Sequence, residues 1–376
     1  MYLKNILITG GAGFIGSHLA LKLIEKGHNI TVLDNLSPQI HTSLSPLFRS
    51  IEGKVKFILG DVRSREDWEK ALVGQDAVVH FAAETGTGQS MYEIEQYVDV
   101  NVRGTSLMLD FLAKNPHSVK KMLIASSRSI YGEGKAHCEK CGIVYPGERK
   151  NDYMRKGDFK VKCPQCGVDV ETLATDENSK LHPSSIYGIT KQTQEQLILT
   201  VGKALKVPAT SLRYQNVYGP GQSLSNPYTG ILSIFSTRIR NGNDINIFED
   251  GKESRDFVYI DDVIDASILA LFSDSANYEC FNVGSGVATD VVTVAKTLCS
   301  AYKSNVKVEI SGNYRLGDIC HNYADLSKIN RTLGFTPKFS FSEGAERFCQ
   351  WVSHQAVVED NYEKSIEQMR KLGLFN

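Results

Sequence analysis

Residues 4–34 read KNILITGGAGFIGSHLALKLIEKGHNITVLD, and the fold follows from them. Residues 4–9 (KNILIT) are a short apolar run, as expected of a strand covered on both faces in a parallel sheet. GGAGFIG follows, with Gly10, Gly13 and Gly16 spaced for a strand-to-helix turn. Such a turn brings backbone close to a pyrophosphate, which then sits on the positive end of the helix. SHLALKLIEKG carries apolar residues at helical spacing and stops at Gly27. The second strand, NITVLD, ends at Asp34, near the roughly 20-residue distance at which an acid meets a ribose 2′-hydroxyl. A glycine motif alone is weak evidence, but strand, turn, helix and second strand in order make a dinucleotide platform. A carboxylate at Asp34 repels a 2′-phosphate and no Arg or Lys follows closely, so NAD is expected over NADP.

Further strands follow at 54–62 (KVKFILGDV) and 76–83 (DAVVHFAA). Asp61, at the end of the first, is placed to meet an adenine, and small Ala82 and Ala83 let a cofactor lie against the backbone. Phe14, Ile15, Asn35, Val62 and Asn101 are expected in the same cofactor site. Residues 98–115 (VDVNVRGTSLMLDFLAKN) read as a helix ending before Pro116. The strand 120–127 (KKMLIASS) then brings Ser127 to its C-terminal end.

Beyond it lie ASSRSIYG (125–132) and YGITK (187–191). Tyr187 and Lys191, at i and i+4, share one helix face. A nearby ammonium favours the phenolate, lowering a pKa of about 10, and a positively charged nicotinamide would push the same way. Such a Tyr serves as general base on a sugar hydroxyl while hydride leaves its carbon, and Ser127 can hydrogen-bond the same oxygen. A Y-x-x-x-K by itself is usually a surface pair. Behind a dinucleotide platform and a strand ending in Ser-Ser it reads as catalytic.

ITGGAGFIG, LDNLS, HFAA, ASSRSIYG, YGITK, LRYQNVYGPGQ, ESRDFVYIDDV and YRLGDI occur in the order seen in extended short-chain dehydrogenase/reductases. Over nearly the whole chain the sequence resembles their nucleotide-sugar 4-epimerases. The resemblance implies Tyr187 as base, Lys191 as its electrostatic partner and ribose contact, and Ser127 and Ser129 at the sugar. It puts Asn216 between nicotinamide and substrate, Arg255 and Arg315 on a nucleotide diphosphate, and Asp318 on its ribose. Planar guanidinium forks suit a diphosphate. The related 4,6-dehydratases carry an acidic pair after the Ser or Thr, where this chain has Arg128 and Ser129. Simple oxidation and re-reduction at C4 is therefore expected: Tyr187 takes the C4 hydroxyl proton, NAD takes and returns the hydride, and the 4-keto sugar turns over in between.

Between the motifs lies an insertion with HCEKCG (137–142) and KCPQCG (162–167). Two C-x-x-C-G turns separated by 21 residues fit a tetrahedral site of Cys138, Cys141, Cys163 and Cys166. Four thiolates close a zinc ion's shell, so a structural zinc is expected, rigidifying an excursion near the substrate mouth; a metal-free remnant or disulfides are the alternatives. With this insertion, SSRSIYGEG, SLSNPYTG and RLGDICH resemble bacterial dTDP-L-rhamnose 4-epimerase-like proteins, implying a dTDP-6-deoxy-L-hexose.

The expected architecture is α/β. A Rossmann-type doubly wound parallel sheet (1–215, interrupted by a zinc-ribbon-like insertion at 133–180) precedes a smaller α+β substrate domain (216–376), with some segments returning to the core. Residues 226–242 read as a helix starting near Thr229, and 354–373 as a C-terminal helix. The 376 residues carry a net charge of −1 with no basic face for nucleic acid. No apolar run is long enough for a membrane span, and the N-terminal apolar stretch is too short for a signal peptide, so a cytoplasmic enzyme is expected. Eight cysteines in a chain this long make no disulfide scaffold. Helices 101–115 and 188–203 pair across a dimer in the resembling family, implying a homodimer. Two other readings stay open: a 4-ketoreductase consuming NAD(P)H, and a non-catalytic redox sensor built on the dinucleotide fold.

Overall fold

A computed structural model describes residues 3–41, 46–226, 228 and 230–375. Seven parallel strands form the central sheet: β1 (Asn5–Thr9), β2 (Asn29–Asp34), β3 (Lys56–Leu59), β4 (Ala77–His80), β5 (Lys121–Ser127), β6 (Ala209–Tyr214) and β7 (Cys280–Val283). Their order is β7-β6-β5-β4-β1-β2-β3. The chain therefore builds outward from β1 to β3 and then restarts on β1's other side at β4. Ligands in such sheets bind at the carboxyl ends of the strands beside this reversal.

Both faces of the sheet are covered, which explains the unbroken apolar runs. Ile6 and Ile8 pack on one side with Leu19, Leu23 and Leu271. Leu7, between them, points to the other side, with Met108, Leu109 and Ile198. Residue 98 onward is helical, as its pattern predicts, but Val98–Arg103 is a π-helix that feeds the α-helix Gly104–Lys114.

A hydrogen-bonded chain of side chains is buried behind the C-terminal ends of β1 and β4. The single hydroxyl proton of Thr105 goes to Asn101 O at 2.6 Å, so its oxygen accepts from Gln194 Nε2 (2.8 Å) and from His80 Nε2 (2.9 Å). His80 Nδ1 then accepts from Thr9 Oγ1 at 2.7 Å, and Thr9 accepts the Ala82 amide. This network assigns the neutral Nε2–H tautomer, and burial pushes the imidazole down to about 3. Below pH 6.5 the unfolded chain binds a proton that native His80 refuses. This group therefore costs about 1.4 kcal/mol of stability per pH unit between 6.5 and about 3, and nothing above 6.5. Urea midpoints at pH 7, 6 and 5 are expected to fall more steeply for the wild type than for His80→Asn; parallel slopes would contradict the assignment.

The rest of the chain forms three smaller sheets. Asn216–Tyr218, Ser254–Tyr259, Ala288–Asp290 and His321–Asn322 make a mixed one, and Ile245–Ile247 pairs with Val308–Ile310. The insertion supplies the third, antiparallel, with Lys135–Cys138 between Gly142–Val144 and Glu171–Leu173. Arg149, 4% exposed, anchors it: its guanidinium pairs with Glu249, lies 3.3 Å from Glu133 Oε1, and donates to the carbonyls of Phe159 and Asp318. Tyr314 adds a 2.5 Å bond to Asn151. The excursion thus lies against the segment carrying Arg315 and Asp318.

One helix expectation stands and one needs correction. The helix expected near Thr229 is described from Ile231 to Arg240; Thr229 lies outside the described residues. The C-terminal pattern is helical only over Tyr362–Lys371, after a first helix Phe341–Ser353 and an irregular link. Tertiary hydrogen bonds take that link's carbonyls. Arg240 donates to Val352 O, Gln355 O and Ala356 O, and Asn241 to Val358 O. Among the described residues no helix is long and apolar enough to cross a membrane.

Candidate active site

A cavity of about 700 Å³ opens at the carboxyl ends of the central strands. Gly10, Gly13, Phe14, Ile15, Gly16, Asp34, Asn35, Asp61, Val62, Ala82 and Ala83 line one end of it. Ser127, Ser129, Tyr187, Lys191 and Asn216 line the other. The glycines are there for space. A Cβ on Gly10, at φ +65°, would lie 2.7 Å from Ala82 N, and one on Gly16 would lie 2.7 Å from Gly11 Cα. Asp34 knits the turn to β2: Oδ2 accepts from Ala12 N (3.0 Å) and Oδ1 from Leu36 N (2.9 Å).

Asp61 is more heavily engaged than the sequence suggested. Arg63 forks onto it at 2.8 and 3.0 Å and Asn35 donates at 3.0 Å. Burial works to raise its pKa, but these donors hold it at about 2. Asn101, expected at the cofactor, stands behind the cavity wall. It is fully buried and does not line the cavity. Its amide is used up bonding Glu84 N, Glu84 O and Thr190 Oγ1, so it braces the post-β4 loop against the Tyr187 helix.

That helix, Ile186–Leu205, starts at Ser185, whose side chain accepts from Gly188 N at 3.1 Å. It puts Tyr187 and Lys191 on the cavity wall, opposite the end of β5. Lys191 is 3% exposed and donates to Gln194 Oε1 at 2.7 Å; burial, against Glu195, depresses its pKa to about 7. Burial raises Tyr187, while Ser127's hydroxyl and the Arg128 guanidinium pull it down. Burial dominates, so the phenol stays above its ordinary value, and Arg128 is a cation that moderates the rise.

Residues that the sequence reading passed over hold the Ser127 turn in place. Tyr131, at the end of the turn Arg128–Tyr131, donates to Asn282 Oδ1 (2.8 Å) and accepts from Arg213 Nη1 (2.6 Å). Arg213 pairs with Glu195 at 2.6 Å, both 4% exposed. The i,i+8 spacing of Tyr187 and Glu195 on one helix face was the available signal for that acid. Arg149 gave no such signal, because its partners come from distant loops.

Arg255, Arg315 and Asp318 stand apart from the cavity wall. Arg255 donates to the carbonyls of Ser254, Ile319 and Cys320. Arg315 pairs with Asp318 at 2.9 Å and lies over the Phe248 ring. The three form a cluster, since Asp318's pKa, raised by burial, is brought below the usual range by Arg315, Arg255, Arg149 and Arg128.

In the insertion, the sulfurs of Cys138, Cys141, Cys163 and Cys166 all lie within 4.8 Å of one another, a donor set able to hold a metal ion. Gly142 (φ 74°) and Gly167 (φ 76°) take the left-handed conformation expected after each pair, and Gln165 N–H points at Cys163 Sγ at 3.4 Å.

Comparison with known proteins agrees with this geometry. The profile described as the NAD dependent epimerase/dehydratase family matches residues 6–155 and 165–284. A dTDP-L-rhamnose 4-epimerase of Burkholderia thailandensis is 36% identical over 357 residues, spanning 94% of this chain and 96% of its own. A UDP-glucose 4-epimerase of Thermotoga maritima, solved with UDP-glucose, superposes with a TM-score of 0.76 at 29% identity, covering 93% of this chain and 98% of its own. The Thermus thermophilus UDP-glucose 4-epimerase solved with NAD gives 0.74 at 26% identity, covering 94% and 100%.

Proposed function

The chain belongs to the NAD dependent epimerase/dehydratase family, and on that premise we propose that it is a nucleotide-sugar 4-epimerase acting on a dTDP-6-deoxy-L-hexose. The observation that carries the reading is one cavity lined by the dinucleotide turn at one end and by Ser127, Tyr187 and Lys191 at the other. The sugar base assignment is supported by the 36% identity to a dTDP-L-rhamnose 4-epimerase across 94% of the chain.

The residues fit NAD. Gly10 leaves no room for a side chain at the turn, and Asp34 lines the cavity with a carboxylate that would repel a 2′-phosphate. When bound, NAD supplies reversible hydride exchange with C4. Tyr187 accepts the proton of the C4 hydroxyl; Ser127 orients that oxygen, and Ser127 and Arg128 counter part of the burial that favours the protonated phenol. Lys191, fixed by Gln194 at the cavity wall, would serve as the ribose contact. In the return step Tyr187 gives the proton back to the oxygen of the turned sugar. Arg255, Arg315 and Asp318 serve the diphosphate and ribose, which requires Arg255 to exchange backbone carbonyls for phosphate oxygens. The four cysteines hold a structural zinc, since four thiolates leave no open position for chemistry. A cytoplasmic homodimer is part of the proposal: Ile189, on one of the two helices (101–115 and 188–203) that pair across dimers in the resembling family, and Ile94 and Val98, just before the other, are each more than 40% exposed.

Incubating the protein with dTDP-, UDP- and GDP-sugars without added cofactor tests the assignment. C4 epimers should form, fastest from dTDP-6-deoxy-L-hexoses, with no net NADH change. Stoichiometric NAD(P)H consumption would make it a ketoreductase, and no turnover of any sugar would leave the sensor reading.

A further inference from the structure

Arg128 opens the turn after β5, and its side chain reaches the main cavity. Nε donates to Asn216 Oδ1 at 2.6 Å, which fixes the plane of the guanidinium. Nη1 is buried with no hydrogen-bond partner. Among the described residues Arg128 takes part in no ion pair of 4 Å or less, and neither does Arg255, although the two guanidiniums are close enough to repel. The carboxylates that act on Arg128 are already committed. Asp318 is paired with Arg315 at 2.9 Å. Asp256 is fully buried and accepts from Ser285 N, Ser285 Oγ, Gly286 N and Ala324 N.

A guanidinium that leaves a buried N–H without a partner and has no ion-paired carboxylate is costly, and replacing such a charge by an apolar group is often neutral or stabilising. Burial and Arg255 push Arg128 down to about 9, so it stays charged at neutral pH. Two adjacent cations without a free carboxylate between them call for a ligand anion. A neutral sugar hydroxyl would satisfy Nη1 but leave the repulsion, whereas a phosphoryl oxygen answers both. We propose that Arg128 Nη1 binds the diphosphate of the nucleotide sugar from the β5 side, opposite Arg255, making Arg128 a binding residue at the pivot about which the sugar turns. The proposal rests on the nucleotide-sugar reading above.

Calorimetric binding of dTDP and UDP, each against its monophosphate, tests it in the wild type, Arg128→Met and Arg128→Lys. Loss of one charge-assisted contact should weaken diphosphate binding by about 10- to 100-fold in Arg128→Met and leave monophosphate binding nearly unchanged. Arg128→Lys should fall between, because lysine keeps the charge but loses the fork to Asn216. Thermal unfolding of Arg128→Met should be no lower than that of the wild type; should this variant not fold, the diphosphate–monophosphate contrast in Arg128→Lys decides. Unchanged diphosphate affinity with weakened binding of a whole nucleotide sugar would overturn the proposal, placing Arg128 on the sugar. A wild type that binds none of the four nucleotides would overturn both the proposal and the nucleotide-sugar reading, which separates the two failures.

Discussion

Tyr187→Phe is expected to lower kcat by about 10²–10⁴-fold, the span typical of losing a positioned general base, while nucleotide-sugar binding changes little. The phenol lines the cavity beside Ser127 and Arg128, and the side-chain hydrogen bond it shares with Ser127 belongs to the reacting set and not to the packing of the fold. Removing its oxygen therefore takes away the proton acceptor and leaves the ring's packing, including its edge contact with Tyr97 at 6.4 Å. The measurement is steady-state epimerisation of the preferred sugar at saturation, with substrate affinity taken from calorimetry. A kcat within a few-fold of the wild type would put the base elsewhere. The same variant separates an enzyme from a sensor, because a dinucleotide sensor does not need the phenol.

Cys163→Ser is expected to act on stability, not on chemistry. Structural zinc sites in zinc-finger peptides bind with about 10–16 kcal/mol, and the insertion's own core is small: Ala136, Cys138, Val144 and Cys163 are its buried residues. Without a closed four-sulfur shell that core has little to hold it. Zinc content should fall well below one ion per chain, and the thermal transition should move down. Because Arg149 ties the insertion to Asp318 O and Glu249, KM should rise as the insertion loosens. The kcat of the folded fraction should persist. Metal analysis finding substoichiometric zinc in the wild type would refute the metal assignment, and loss of kcat with unchanged stability would refute the structural role.

Local patterns were legible in the sequence and long-range partnerships were not. The glycine turn, Asp34 and the Ser127, Tyr187 and Lys191 set could be read because each sits at a strand end or helix start with its own period or spacing. All of them line one cavity. The bracing by Asn101 was not legible, because its helical position does not reveal which way a buried amide turns; here it turns toward Glu84 and Thr190. Arg128 was noted only for the acid it replaces, since nothing in ASSRSIYG tells that its Nη1 would be left without a hydrogen-bond partner. The irregular link before the last helix was misread for the opposite reason: its local pattern suits a helix, but Arg240 and Asn241 take its carbonyls. The anchor of the insertion, Arg149 with Glu249 and the carbonyl of Asp318, joins segments 100 and 169 residues apart, separations over which no sequence period speaks.

The central claim is that C4 is oxidised and re-reduced within one cavity, the hydride lent to bound NAD and returned to the same carbon. The most direct test uses a nucleotide sugar carrying deuterium at C4, incubated without added cofactor and analysed by NMR after epimerisation. The account predicts that the product keeps its deuterium at C4 with the configuration inverted and with no exchange into solvent. Washout of deuterium to water would mean that C4 epimerises by deprotonation, and would contradict it.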